Sequence, residues 1–339
     1  MQFGTTLTQY IIDEGRRHSA EHGATGAFTA LLNDVATACK RVSSLVRLGE
    51  MAGVLGASDS ENVQGEEQKK LDIIANDAFL HALEHNGLLA ALASEEMDAH
   101  YPIPEGYPRG DYLLAFDPLD GSSNVDVNGV TGTIFSITHY ENDAVPTDTD
   151  FLRKGREQVC AGYCVYSSAT MLILTTGHGV VGFTLDSSIG EFILTHPDIR
   201  LPADTSEYAI NAAYRRHWFE PVNRYIEECE AGREGPRGRN FNMRWAGSMV
   251  GDIHRILSQG GVFLYPDDRR LRAEGKAGKL RLLYEANPMG MLIEQAGGLA
   301  STGHEPILDI PPESLHQRVP VIMGTAAEVE RLIAYHGEA

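Results

Sequence analysis

Two short segments bring together residue types that could do chemistry. Ser94-Glu95-Glu96 closes an apolar run over residues 88–93, and Asp117-Pro118-Leu119-Asp120-Gly121-Ser122-Ser123 closes another over 112–116. Carboxylates placed directly after buried strands are costly unless something neutralises them. Pro118 is expected to end its strand and turn the chain, so that Asp117 and Asp120 converge on one point. Gly121 leaves room for a ligand to reach backbone N–H groups, and Ser122 and Ser123 add hydroxyl donors, an arrangement suited to phosphate. Clustered Asp and Glu without nearby His or Cys suit a hard cation, Mg²⁺ or Mn²⁺, better than zinc. Either segment alone also reads as exposed turn chemistry, since Asp-Gly is a common turn pair. Two of them, each closing an apolar run, favour a site.

The elements that must position these groups are of mixed α and β type. Phe28, Leu31, Leu32, Val35, Cys39, Val42 and Val46 fall on one face of a helix over 25–48, with Thr25 available as N-cap. Residues 49–68 are polar and rich in Gly and Ser, either a disordered linker or a functional lid. A second helix is expected over about 69–86. From residue 88 to about 195 short β-forming runs alternate with Gly, Pro or Asp turns, and GHGVVG (177–182) reads as a hairpin turn. Beyond residue 200, helices near 217–230, 247–258 and 288–296 alternate with strands GVFLY, KLRLLYE and VPVIMG, and a last helix closes the chain. Residues 267–279 read as a charged loop, and Arg233, Arg237 and Arg239 as part of a solvated one. The change of pattern at 195–205 divides the chain into lobes 1–198 and 199–339.

Composition narrows the partners. The 339 residues carry 28 Lys+Arg against 47 Asp+Glu, a formal net charge of −19, which argues against nucleic acid and anionic membranes. The only compositional excess is 35 glycines, roughly a tenth of the chain where about 7% is usual. Four cysteines are too few for a secreted disulfide scaffold, and Cys160 and Cys164 read as small buried apolar residues rather than a redox pair. No signal peptide or membrane span is expected, which points to the cytoplasm.

The same residues, with others, resemble the class 1 fructose-1,6-bisphosphatases. The resemblance runs through GATGAFTALLNDVATACK, SENVQGEEQKKLD, ASEE, FDPLDGSSNVDVN, GTIF, IGEFILTH, MRWAGSMVGDIHR, KLRLLYEANPMG and EQAGG. DPLDGSS alone marks only the wider lithium-sensitive phosphatases, which include the inositol monophosphatases. GSMVGDIHR and LRLLYEANPM are more specific, and Asn287-Pro288 stands where the inositol enzymes carry Trp-Asp. The resemblance implies an α/β fold in α-β-α-β-α layers and Mg²⁺-dependent hydrolysis of the 1-phosphate of fructose 1,6-bisphosphate, in gluconeogenesis or Calvin-type sugar metabolism. It implies that Glu95, Glu96, Asp117, Asp120, Glu285 and the Leu119 carbonyl hold two or three Mg²⁺, with Mn²⁺ an alternative. Asp120, Gly121, Ser122 and Ser123 would bind the scissile phosphate. Asn211, Tyr214, Arg244, Trp245, Tyr265 and Lys279 would grip the sugar and its 6-phosphate. Glu66 and Asp72, brought in by the lid 49–71, would act with Glu96 on the attacking water. In the family the arginine matching Arg244 enters the site of a neighbouring subunit, so a homo-oligomer, typically a tetramer, is implied. A sedoheptulose 1,7-bisphosphatase or a dual-specificity enzyme is the alternative, and a non-catalytic metabolite sensor a further one.

Departures from the family pattern bear mostly on regulation. Glu66 replaces the usual lid Asp and Trp245 the usual Tyr. In the AMP-inhibition site Thr25-Gly26-Ala27-Phe28-Thr29 persists, but Asp111 stands where Lys is expected and His139 where Arg is expected. Weak or absent AMP inhibition follows. The acidic loop 141–150 lacks the cysteines of the light-regulated chloroplast form.

Overall fold

The computed structural model describes residues 4–17, 26–53, 55–61 and 67–338. Among them, an eight-stranded sheet is ordered β10-β9-β8-β7-β6-β5-β3-β4. Its strands are β3 (Leu89–Ser94), β4 (Tyr101–Pro102), β5 (Tyr112–Asp120), β6 (Thr131–His139), β7 (Gln158–Tyr166), β8 (Thr170–Thr175), β9 (Val180–Asp186) and β10 (Glu191–Ile199). Neighbours are antiparallel except β3 and β5. A second, five-stranded sheet joins β11 (Glu207–Ile210), β12 (Asn242–Met243), β13 (Val262–Tyr265), β15 (Leu299–Ser301) and β17 (Val321–Gly324) in the order β12-β11-β13-β17-β15.

Side chains alternate across the strands, and the central strands are buried on both faces, which stacks the molecule in five layers. Phe135, Cys160 and Cys164 pack under helices α1 (Leu7–Arg17), α2 (Ala27–Leu48) and α3 (Lys70–Leu83). Ile134, Tyr163 and Val165, on the opposite face, meet α5 (Met249–Gln259), α7 (Asn287–Gln295) and Phe263 of the second sheet. Val262 and Leu264 point the other way, onto α4 (Glu220–Glu230) and α8 (Ala326–Glu338). All four cysteines are buried and free, as apolar packing predicts. No helix among the described residues is long and apolar enough to cross a membrane.

Several local expectations are corrected. Pro118 does not end its strand: β5 runs on to Asp120, with an irregularity in its pairing to β6 between Asp117 and Asp120. KLRLLYE is not one strand. Only Leu280–Arg281 (β14) pairs, with Arg318–Val319 (β16), and Leu282–Ala286 then forms a π-helical turn leading into α7. The loop 267–279 contains a short helix, α6 (Arg269–Ala273). Arg237 is not solvated, since its side chain is 3% exposed. The lid region contains a strand pair, β1 (Ala57–Glu61) with β2 (Glu67–Lys69). Thr25, the expected N-cap of α2, lies outside the described residues, and Gly26 takes the cap position at φ 80°.

Candidate active site

Glu95 continues beyond β3, its N–H bonded to the Phe116 carbonyl at 3.1 Å, so its side chain emerges beside Asp117 of β5. The pairing of β5 with β6 shifts register after Asp117. The Leu119 N–H closes onto Asp117 Oδ1 at 2.9 Å, and Thr133 Oγ1 donates to the Pro118 carbonyl at 2.8 Å. Asp120 faces the N-terminus of α5, where Ser248 Oγ (2.5 Å), Val250 N–H (2.8 Å) and Met249 N–H (3.3 Å) donate to it. Gly121 sits against this helix start. At φ 74° a Cβ there would lie 2.5 Å from Ser248 Cβ, so only glycine fits the turn.

Glu285 arrives from the π-helical turn, a feature frequent at functional sites because it re-aims a side chain. It accepts the Arg281 N–H at 2.6 Å. One oxygen each of Glu95, Asp117 and Glu285 lie within 4.8 Å of one another. Burial, then the charges of Glu95, Asp120 and Glu285, hold Asp117 well above the usual carboxylate range. Burial and Glu95 push Glu285 up to about 8. Burial also raises Asp120, but the Ser248 and α5 donors pull it back, to about 6. Asp72, in the first turn of α3, accepts the Lys69 N–H at 2.8 Å and is raised by burial to about 6.

These groups fit divalent cations. The donors are all oxygens, and Glu95 Oε2 and Asp72 Oδ1 are buried without a hydrogen-bond partner among the described residues. Glu95, Asp117 and Glu285 converge on one spot with Asp120 close by, and burial, reinforced by their mutual repulsion, raises Asp117, Asp120 and Glu285, so that a cation would relieve both.

The carboxylates line a cleft of about 460 Å³ together with Glu96, Leu119, Gly121, Ser122 and Ser123. Asn211, Trp245, Tyr265 and Lys279 line the same cleft. Trp245 stacks on Phe263 (centroids 5.9 Å, 8°) and meets Tyr265 edge-on. Two expected residues stand outside the lining. Tyr214 lies under the Arg270 guanidinium at 4.2 Å, and Arg244, with its side chain 52% exposed, turns off the edge strand β12 toward Glu207. Glu66 lies outside the described residues.

The structure adds residues not singled out from sequence. Arg281, 4% exposed, pairs with Glu95 at 2.6 Å; its signal was a base four residues before Glu285 in an apolar run. Ser248 and Asn124 also line the cleft, Ser248 as the N-cap of α5 and Asn124 donating to the carbonyls of Val130 and Ala246. Asp126, on the turn after Ser123, accepts the Gly56 N–H at 3.0 Å and pairs with Lys69 at 3.2 Å, tying both ends of the segment 56–69 to that turn.

Comparison with known proteins gives one answer. Residues 5–197 match the family model described as fructose-1-6-bisphosphatase, N-terminal domain, and residues 201–337 the corresponding C-terminal domain. A class 1 fructose-1,6-bisphosphatase of Halorhodospira halophila is 55% identical over 340 residues, covering 100% of both chains. The fold is similar to that of Leishmania major fructose-1,6-bisphosphatase in its holo form, with TM-score 0.91, 41% identity and 99% of each chain covered. To the apo form the TM-score is 0.85 at 40% identity, over 99% of this chain and 100% of that one.

Proposed function

The chain belongs to the class 1 fructose-1,6-bisphosphatase family, which are phosphoric monoester hydrolases, and from that premise we propose how its cleft divides the work. The observation that carries the reading is the convergence of Glu95, Asp117 and Glu285 beside the Gly121–Ser123 turn. Glu95, Glu96, Asp117, the Leu119 carbonyl, Asp120 and Glu285 hold two or three Mg²⁺. When bound, these ions supply Lewis-acid stabilisation of the charge that develops on the attacking and leaving oxygens. The turn after Asp120 receives the 1-phosphate on the Ser122 and Ser123 hydroxyls and the N–H groups freed by Gly121. Asn211, Tyr214, Tyr265 and Lys279 hold the sugar and its 6-phosphate, and Trp245 offers a flat face and one N–H to them. Asp72 Oδ1, with Glu96 and Glu66, orients the attacking water and takes its proton. The lid, clasped by Asp126, excludes bulk water from the reacting centre.

Lobe 1–198 supplies the 1-phosphate end of the cleft and lobe 199–339 contributes Glu285 and the sugar end. Arg244 serves the cleft of a neighbouring copy, consistent with its outward aim, in a cytoplasmic homotetramer. Comparing kcat/KM for fructose 1,6-bisphosphate and sedoheptulose 1,7-bisphosphate tests the substrate assignment. A value for the fructose substrate below a tenth of the other would overturn it.

Regulation by AMP should be weak. Tyr112 stacks on His139 (centroids 4.9 Å), and the exposed Asp111 precedes it, placing a negative charge where a nucleotide phosphate would need a cation. Steady-state assays are expected to retain most activity at millimolar AMP, and abolition of activity would contradict this reading.

A further inference from the structure

Resting on the assignment of Arg244 to the 6-phosphate, we propose that the buried Arg237–Glu328 pair is the positioning device that aims Arg244. Arg244 follows directly on β12, an edge strand of two residues. That strand pairs with β11 over only two residues, flanked by the Asn242 N–H on the Ser206 carbonyl and the Arg244 N–H on the Tyr208 carbonyl, both 2.8 Å. Asn242 and Met243 are exposed, so this hold is weak against fraying. A guanidinium on such a strand needs an anchor elsewhere if it is to meet a phosphate in one geometry.

Arg237 supplies that anchor seven residues upstream. Its Nη2 donates to both oxygens of Glu328 at 2.5 and 2.6 Å, and each side chain is 3% exposed. Tyr225 of α4 donates its hydroxyl to the same carboxylate at 2.7 Å, and Arg237 Nη1 lies 3.6 Å from Cys229 Sγ. The segment between is pinned to this pair. Phe241 sits beneath Arg237 (4.5 Å) and Arg239 (5.3 Å), and Arg239 reaches Glu328 at 3.6 Å and also pairs with Asp204. On the far side the Ala246 N–H closes on Asp252 at 2.8 Å. Arg244 is therefore carried on a short span clamped at both ends, and α8, none of whose residues lines the cleft, sets one of the clamps.

The test replaces both members of the pair, Arg237→Met with Glu328→Met, because removing one alone would bury an unpaired charge and threaten the fold. With Arg244 present, KM for fructose 1,6-bisphosphate is expected to rise about tenfold while kcat stays within about twofold, the signature of lost ground-state binding. In an Arg244→Ala background the same pair of substitutions should change KM by less than about twofold, since the group it positions is gone. An unchanged KM with Arg244 present, or an equal rise in both backgrounds, would overturn the proposal. Arg244→Ala alone separates the two levels: if it leaves KM unchanged, the assignment of Arg244 itself fails. If it raises KM and the paired substitution does not, only the positioning role fails.

Discussion

Replacing Asp117 by Asn should lower kcat by about a thousandfold or more while raising the melting temperature of the metal-free protein. The two effects share one cause. Asp117 is buried at the centre of the carboxylate cluster, and its negative charge is disfavoured by burial and by Glu95, Asp120 and Glu285. Asn keeps the Oδ1 that accepts the Leu119 N–H and removes the repulsion. In the proposed reading the same change would remove a ligand oxygen from the metal site, and groups that stabilise transition-state charge are worth about a hundred- to a thousandfold singly, more where a whole ion is displaced. Activity within tenfold of the parent, or a lower melting temperature without metal, would show that Asp117 is an ordinary structural acid.

Mg²⁺ should stabilise the protein more at alkaline than at acid pH. Without metal, Glu285 is raised from 4.5 to about 8, and Asp120 and Asp72 from 3.8 to about 6, in each case chiefly by burial. The folded protein then holds protons that the unfolded chain has released. Its stability falls as pH rises from about 4 to about 8. Cations bind the deprotonated carboxylates, so their contribution grows over the same range. Saturating Mg²⁺ is expected to raise the melting temperature by about 5 °C or more near pH 8, and by less than half as much near pH 5. Differential scanning calorimetry with Mg²⁺ and with chelator at both pH values checks this. Equal shifts at the two, or metal-free stability that rises with pH, would contradict it.

Much of this site was legible from sequence because it sits where strands end. Glu95, Asp117 and Asp120 are marked by apolar runs that stop at acids, and all three line the cleft. Glu285 came only from the family resemblance. LRLLYE is rich in apolar and aromatic residues, and over so short a run a buried helical turn and a strand carry the same signal. The π-helical turn that aims Glu285 inward depends on tertiary packing rather than propensity. Pro118 was misread for a related reason: proline interrupts a regular ladder, but the irregular pairing of β5 with β6 accommodates it at a bulge. Arg237 looked solvated because a run of Arg, Gly and Pro is polar. Its partner Glu328 lies 91 residues away, a distance over which no local pattern reports.

The net charge of −19 excludes polyanions that meet the whole surface, and says little about a sugar bisphosphate that meets one spot. In the proposed reading the acids at that spot would be neutralised by metal, and Lys279, with Arg244 from a neighbouring copy, would receive the second phosphate. The direct test is the ³¹P spectrum of fructose 1,6-bisphosphate incubated with the protein, with Mg²⁺ and with chelator. The account predicts inorganic phosphate and fructose 6-phosphate with Mg²⁺ and no turnover with chelator. Fructose 1-phosphate as product, or turnover that survives the chelator, would contradict it.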